Sequence, residues 1–309
     1  MTKQEIVSYF KTLQDSICNG LEQADGRAKF LEDKWERNGG GGGRTRVIQN
    51  GNVIEKGGVN FSEVFGVAPE FLSKEVGSKI VKTFLASGVS IVIHPQSPMI
   101  PIIHMNVRYL ELQGDDSNLP ITCWFGGGID LTPIYINKKD AVFFHSALKA
   151  SCDKFHLQFY SEFKKWADDY FFIKHRNETR GIGGIFFDHL NSTSLKSKNI
   201  EMSLEKIFEF VKEVGNTFLP AYSELIKKNK ELPYGEKEKQ WQLLRRGRYA
   251  EFNLVYDRGT KFGLETNGRS ESILMSLPPQ ANWVYNFIPE KNSTEEQTQA
   301  FLKKEINWL

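Results

Sequence analysis

The residue types able to do chemistry in this 309-residue chain gather in the stretch HPQSPMIPIIHMNVRYLEL. On a β-strand alternate side chains share a face, so His104, Asn106 and Arg108 point one way while Met105, Val107 and Tyr109 point the other. An imidazole, an amide and a guanidinium on one wet face could bind an anion and move a proton. An ordinary solvated outer face carries the same pattern. Ser90 and His94, in the upstream segment GVSIVIH, favour a site. WFGGGIDLTP then adds Gly126–Gly128 and Asp130. Three glycines after an aromatic strand allow a close backbone approach or a sharp bend. Asp130 could accept N–H groups or act as a base, although an aspartate after glycine is also a routine turn residue. The segment matches neither the G-x-x-x-x-G-K-S/T loop nor the G-x-G-x-x-G turn of nucleotide sites.

Arginine is used selectively. Of the 40 basic residues 12 are arginine, so lysine carries most of the solvated charge. Ten of the 12 fall in Gly- or aromatic-rich segments: Arg44, Arg46, Arg108, Arg176, Arg180, Arg245, Arg246, Arg248, Arg258 and Arg269. The planar fork of arginine pairs bidentately with carboxylate or phosphate, so the group predicts either an anionic ligand or a dense ion-pair network. Arg258-Gly259 and Asn267-Gly268-Arg269 read as turns that present arginine at loop tips. His94, His104, His145 and His175 raise a metal hypothesis, but no H-x-x-x-H, H-x-H or C-x-x-C spacing fixes two ligands locally.

The elements that must position these groups can be read from periodicity. Thr2–Gln23 carries a capping box at Thr2/Glu5 and apolar residues at helical spacing. The glycines of Asn38–Gly43 read as a stretch outside any regular element. Asn50-Gly51 between two apolar runs predicts a hairpin. Ser78–Ala86 suggests a short helix, and strands are expected at Gly88–His94, Ile102–Leu112, Ile121–Phe125 and Gly183–Asp188. Asp140–Lys174 predicts one long or broken helix, followed by helices at Ser203–Lys228, Glu236–Leu244 and Thr294–Ile306. Arg248–Asp257, Ser272–Leu277 and Trp283–Phe287 read as strands. Without regular β-α-β alternation, the expected fold is α+β, a large mainly antiparallel sheet sandwiched between helices, in a single domain over residues 1–309 with an N-terminal helical segment at 1–38.

The totals exclude several classes. A formal net charge of +2 argues against a generic nucleic-acid binder. No apolar run reaches the roughly 20 residues of a membrane-spanning helix, and Met1–Gln23 resembles neither a signal nor a transit peptide. Cys18, Cys123 and Cys152 are too few and scattered for a disulfide framework, which fits a reduced, cytoplasmic enzyme.

Taken together, GGGGGRTRVIQNG, EKGGVNFS, HMNVRY, WFGGGIDLTP, KKWADDYFFIKHRNETRGIGGIFFD, QLLRRGRYAEFNLVYDRGTKFGL and ESILMSLPP closely resemble the oxygen-dependent coproporphyrinogen-III oxidases of haem biosynthesis, in order from about Gly39 to Pro279. The resemblance implies a homodimer with 248–283 as its dimerisation region. It implies oxidative decarboxylation of two propionates of coproporphyrinogen III to vinyls, giving protoporphyrinogen IX, CO₂ and H₂O₂. It also implies no organic cofactor, O₂ as co-substrate, and a divalent ion in some bacterial members. Carried over residue by residue, Ser90, Asn106, Val107, Arg108, Asn267, Gly268 and Arg269 would contact substrate and His104 would donate a proton. His94, His104, His145 and His175 would be the ligands of any ion. Asp130 is the expected acceptor for pyrrole N–H groups and Arg258 a further propionate partner. Phe143 stands where many relatives have a histidine, His189 where they often have a second aspartate, and Phe65 where they have a histidine. A tetrapyrrole carrier would share the arginines and aromatics without needing His104 and Asp130, and a metal-dependent hydrolase of anions is the other class.

Overall fold

The computed structural model describes residues 1–75, 77, 81–114, 120–265 and 268–309. Thr2 and Glu5 close the expected capping box, and α1 runs Lys3–Asp25 with Ile6, Phe10, Leu13, Ile17 and Leu21 on its buried stripe. The strands β1 (Leu31–Glu36), β2 (Gly41–Gln49) and β3 (Ile54–Val67) follow, then the short helix α2 (Glu70–Glu75) and the long strands β4 (Thr83–Pro95), β5 (Ile102–Gln113) and β6 (Thr122–Thr132). Two helices, α3 (Lys138–Asp153) and α4 (Phe159–Tyr170), lead through a small ribbon of β7 (Phe172–Ile173) and β8 (Glu178–Thr179) to β9 (Gly183–Leu190). The remainder is helical: α5 (Ser192–Lys196), α6 (Leu204–Asn229), α7 (Glu236–Val255), α8 (Arg258–Glu265), α9 (Ser270–Leu274) and α10 (Thr294–Ala300). The seven strands form one sheet in the order β1-β2-β3-β4-β5-β6-β9, antiparallel throughout. This is the expected α+β architecture.

Alternation gives the sheet two unlike faces. Val59, Val89, Ile91, Met105, Val107, Ile129, Ile185 and Phe187 meet α1, α3 and α6 in one continuous core. On the opposite face Val92 and Ile102 meet Trp241, Leu244 and Tyr249 of α7, and Phe186 meets Phe252. The α9 region lies across the same face: Asn60 Nδ2 donates to the Ser272 carbonyl at 2.7 Å, and Thr45 Oγ1 and Ser272 Oγ share a hydrogen bond of 2.7 Å.

Several expectations are corrected. The 1–38 segment is not all helical, because β1 occupies Leu31–Glu36. Gly41–Gly43 lie inside β2: a Cβ on Gly43 would come 2.4 Å from the Trp35 ring, so the glycine lets the indole of β1 cover its neighbour. Thr83–Ala86, read as helix, begins β4, and residues 78–80 lie outside the described residues. The helix predicted over 140–174 breaks after Asp153, and the last predicted helix stops at Ala300. The strands read at 248–257 and 272–277 are helical: α7 continues to Val255, and Ser270–Leu274 is α9. No strand forms at 283–287.

The predicted hairpin is held by a buried charge. Asp25 accepts backbone N–H groups of Ala28, Asn52, Val53 and Ile54 at 2.8–3.1 Å. Burial alone would raise its pKa, but the N–H groups of Ile54, Ala28, Val53 and Asn52 outweigh it and hold the carboxyl below its usual value. A folded-state pKa below the unfolded one contributes stability above about pH 4, which is lost as pH falls through the folded value. Asp25→Ala should cost about 2–4 kcal/mol in urea unfolding at pH 7. The difference between variant and parent should shrink toward pH 3.

Candidate active site

Register places the predicted residues in three rows across the second face. His104 stands opposite Val92 and Asp130; Asn106 opposite Ser90 and Gly128; Arg108 opposite Gly88 and Gly126. The glycines are therefore strand residues that keep the wall beside Asn106 and Arg108 low, not a turn. Asp130 is likewise a strand residue, 1% exposed.

The charge on Asp130 is matched inside the chain. Arg180 Nη2 donates to both of its oxygens at 2.8 Å, and His104 Nδ1 meets Oδ1 at 2.8 Å. Burial pushes the pKa of Asp130 up, but Arg180 and His104 together outweigh that and hold it below the usual carboxylate range. An ionised Asp130 can only accept, so His104 carries its proton on Nδ1. Among the described residues Nε2 has no hydrogen-bond partner, and the side chain is 18% exposed on the polar face. Arg180, missed as a site residue in the sequence, is itself buried: Nη1 donates to Asn253 at 2.9 Å, and its guanidinium lies 4.4–4.7 Å from the rings of Phe171, Tyr249 and Phe252. The only signal for it was membership of the arginine group.

The other expected residues divide. Ser90 and Asn106 are half-buried on the polar face, and Arg108 Nη2 donates to Asp188 at 2.7 Å. Arg269 approaches from the α9 side and pairs with Asp33. Gly268 sits beside it with its N–H on the Gly263 carbonyl at 2.7 Å. Arg258 opens α8 with its guanidinium over the Tyr170 ring at 5.7 Å, so it is not a loop tip. Val107 has its side chain in the opposite core, which confines any part in the site to its backbone. Asn267 lies outside the described residues.

The four histidines do not assemble. His145, on α3 across the sheet, is satisfied by Tyr160 and the Ile182 carbonyl at 2.9 and 3.0 Å. Burial first, then Lys164, lowers its pKa to about 4. His94 donates from Nε2 to the Ser276 carbonyl at 2.9 Å, and burial with nearby Arg246, Lys56 and Arg180 lowers its pKa to about 3. His175 lies between Tyr256 and Glu251 at 2.8 and 2.7 Å. Among the described residues no group of three or more His, Cys, Asp or Glu could hold a metal ion. The four-histidine ligand set therefore does not fit a single ion.

Most of the arginine group is an ion-pair network. Arg44 and Arg46 meet Asp15, Arg245 meets Glu178, Arg246 meets Glu55, and Arg176 and Arg248 meet Glu251. Glu251 is half-buried, which alone would raise its pKa, yet Arg176, His175, Trp283 and Arg248 lower it to about 2. A cleft of about 580 Å³ between α1 and the β1–β2 hairpin is also basic, but its Lys11 and Arg44 face Glu63 and Asp15, and it lies away from the polar rows.

A coproporphyrinogen III oxidase family model matches residues 5–308. The chain belongs to this family. It is 49% identical, over 96% of its own length and 88% of that protein's, to the oxygen-dependent coproporphyrinogen-III oxidase of Prochlorococcus marinus (strain NATL2A). An oxidoreductase of this family uses O₂ as a substrate, and among the described residues no helix is long and apolar enough to cross a membrane.

Breaking a buried pair leaves an uncompensated charge. Arg180→Met keeps much of the volume among the three rings but strands Asp130, so unfolding should be about 3–5 kcal/mol easier in urea. Adding Asp130→Asn should restore part of that loss.

Proposed function

We propose that the polar rows of β4, β5 and β6 are where this protein oxidatively decarboxylates two propionates of coproporphyrinogen III to give protoporphyrinogen IX. The observation that carries the reading is the chain Arg180–Asp130–His104 at one end of the rows, with Arg108 at the other.

Each round converts one propionate, with O₂ and one proton, to a vinyl group, CO₂ and H₂O₂. The side chain's C–H bond at the ring-attached carbon and its C–C bond to the carboxylate break, the vinyl C=C forms, and two electrons pass to O₂. One proton of the peroxide comes from that C–H bond. The other must be delivered, and His104 is the proposed donor from Nε2. With its oxygens turned to Arg180 and His104, Asp130 serves as the group that fixes the His104 tautomer, rather than as the direct acceptor for pyrrole N–H groups. Ser90, Asn106, the Val107 backbone, Arg108, Arg258, Asn267, Gly268 and Arg269 are the proposed contacts for pyrroles and propionates. An electron-rich reduced pyrrole can react with O₂ itself, so orientation and electrostatics are the protein's share, and no organic cofactor is invoked. A divalent ion, if used, needs a ligand set other than the four histidines.

The proposed assembly is a homodimer through 248–283. Its support is the exposed apolar surface of Leu254, Val255, Leu264 and Trp283, continued by Val284, Tyr285 and Ile288. A cytoplasmic location belongs to the same proposal, and the three free thiols fit a reducing compartment.

Under air the pure protein should release one CO₂ per O₂ consumed from coproporphyrinogen III, and under argon none. Binding without turnover would reduce it to a carrier, and loss of turnover on exhaustive chelation would assign an ion. Arg108→Ala should weaken binding roughly 10- to 100-fold, the loss of a charged hydrogen-bond pair. The variant should still sediment at the wild-type dimer mass.

A further inference from the structure

Arg108 has a carboxylate partner within its own chain, and the chain is shaped to supply it. Between Phe125 and Gly127 the β6–β9 ladder slips, so that Asp188 and His189 of β9 stand opposite Gly126 alone. Such a bulge re-aims a side chain. His189 takes φ of 49°, a left-handed conformation uncommon outside glycine, and its N–H donates to Asp188 Oδ1 at 3.0 Å. The remaining oxygen, Oδ2, takes Arg108 Nη2. The pair crosses β6 over Gly126, where a Cβ would lie 2.5 Å from Asp188 Oδ1 and 2.8 Å from Arg108 Nε. A bulge, a left-handed histidine and an absent side chain thus converge on one contact.

We propose that Asp188 is an internal stand-in for a substrate carboxylate, a positioning residue that acts through Arg108. It holds the guanidinium in the empty site, yields it to an arriving propionate, and takes it back when the group at that position is a neutral vinyl. The inference rests on the polar rows being the propionate site. The aspartate stays while the arginine moves: the Asp188 side chain is 11% exposed and tied by its neighbour's N–H, whereas that of Arg108 is 40% exposed. Asp188 engages a single guanidinium nitrogen, so a carboxylate arriving at the polar rows can offer the bidentate geometry that Asp188 does not. Exchange of one carboxylate for another lowers affinity but keeps discrimination between ligands that carry an anion there and ligands that do not.

The test compares coproporphyrin III, with four propionates and no turnover, against protoporphyrin IX, with two. Affinities are read by fluorescence for the parent, Asp188→Asn, Arg108→Ala and the double variant. Removing the stand-in should tighten coproporphyrin III about two- to five-fold, the scale of a partly exposed ion pair, and protoporphyrin IX less. On the Arg108→Ala background the gain should vanish, because a general loss of negative charge would persist there and a competitor for Arg108 would not. Unchanged or weaker coproporphyrin III binding in a folded Asp188→Asn protein, or tightening that survives without Arg108, overturns the proposal. If Arg108→Ala alone leaves coproporphyrin III binding untouched, it is the assignment of the polar rows that fails instead. Asp188→Ser gives the same comparison should the amide disturb the bulge.

Discussion

A carboxylate that is 1% exposed and ionised has to be compensated where it stands, and in this protein the compensation is Arg180. Taking two charges out of water costs several kcal/mol per ion, so such a pair persists only with good geometry and with its remaining donors satisfied. Here Arg180 is gripped by Asn253 and by three aromatic rings, and the gripping residues come from α7 and from Phe171 just beyond α4. Asp130 comes from β6 and His104 from β5. One charge pair therefore fastens the helices of the second face to the sheet and fixes which imidazole nitrogen is left for chemistry. Stability and proton placement depend on the same contact.

The near-neutral net charge takes on a different meaning in this light. Arginines gathered in a cationic pocket with their balancing acids elsewhere would give the same total. Their acids are instead beside them: Glu55, Glu178 and Glu251 bind Arg246, Arg245 and Arg176 directly. Even Arg108 and Arg269, on the polar face, have aspartates of this chain. Arginine serves here because its fork can be buried and shared among partners, which the compact lysine ammonium does less well.

What the sequence made legible was local. The alternation of Ile102–Leu112 separates the core face from the polar face because a strand's period is 2, and the Thr2 cap and the Asn50-Gly51 turn itself are set by neighbours within a few residues. What it hid was long-range. Residues 248–255 alternate like a strand, yet on α7 Tyr249 and Phe252 fall on one helical side and close over Arg180. Asp130 could not be told from a turn residue because Arg180 is 50 positions away. The histidines shared a residue type but not a location, since His145 belongs to a helix on the other side of the sheet.

These particulars bear on how a polyanion can enter an apolar fold and leave as something less charged. A site of free arginines would bind the fully charged substrate well, but it would hold a partly desolvated cation without a partner whenever a propionate had become a vinyl. Beside a bound apolar ring that unpaired charge is the less favourable state. Under the proposed exchange internal carboxylates remove it: Arg108 and Arg269 have aspartates of this chain to return to after decarboxylation, so the change in ligand charge would be absorbed by exchange of partners. The same reasoning separates the two ends of the polar rows. At His104 the carboxylate partner is buried and shared with Arg180, which suits the proposed donor, an imidazole that stays in place through proton transfer. At Arg108 the partner sits at a bulged edge beside a half-exposed guanidinium, where exchange is what the proposed reaction requires.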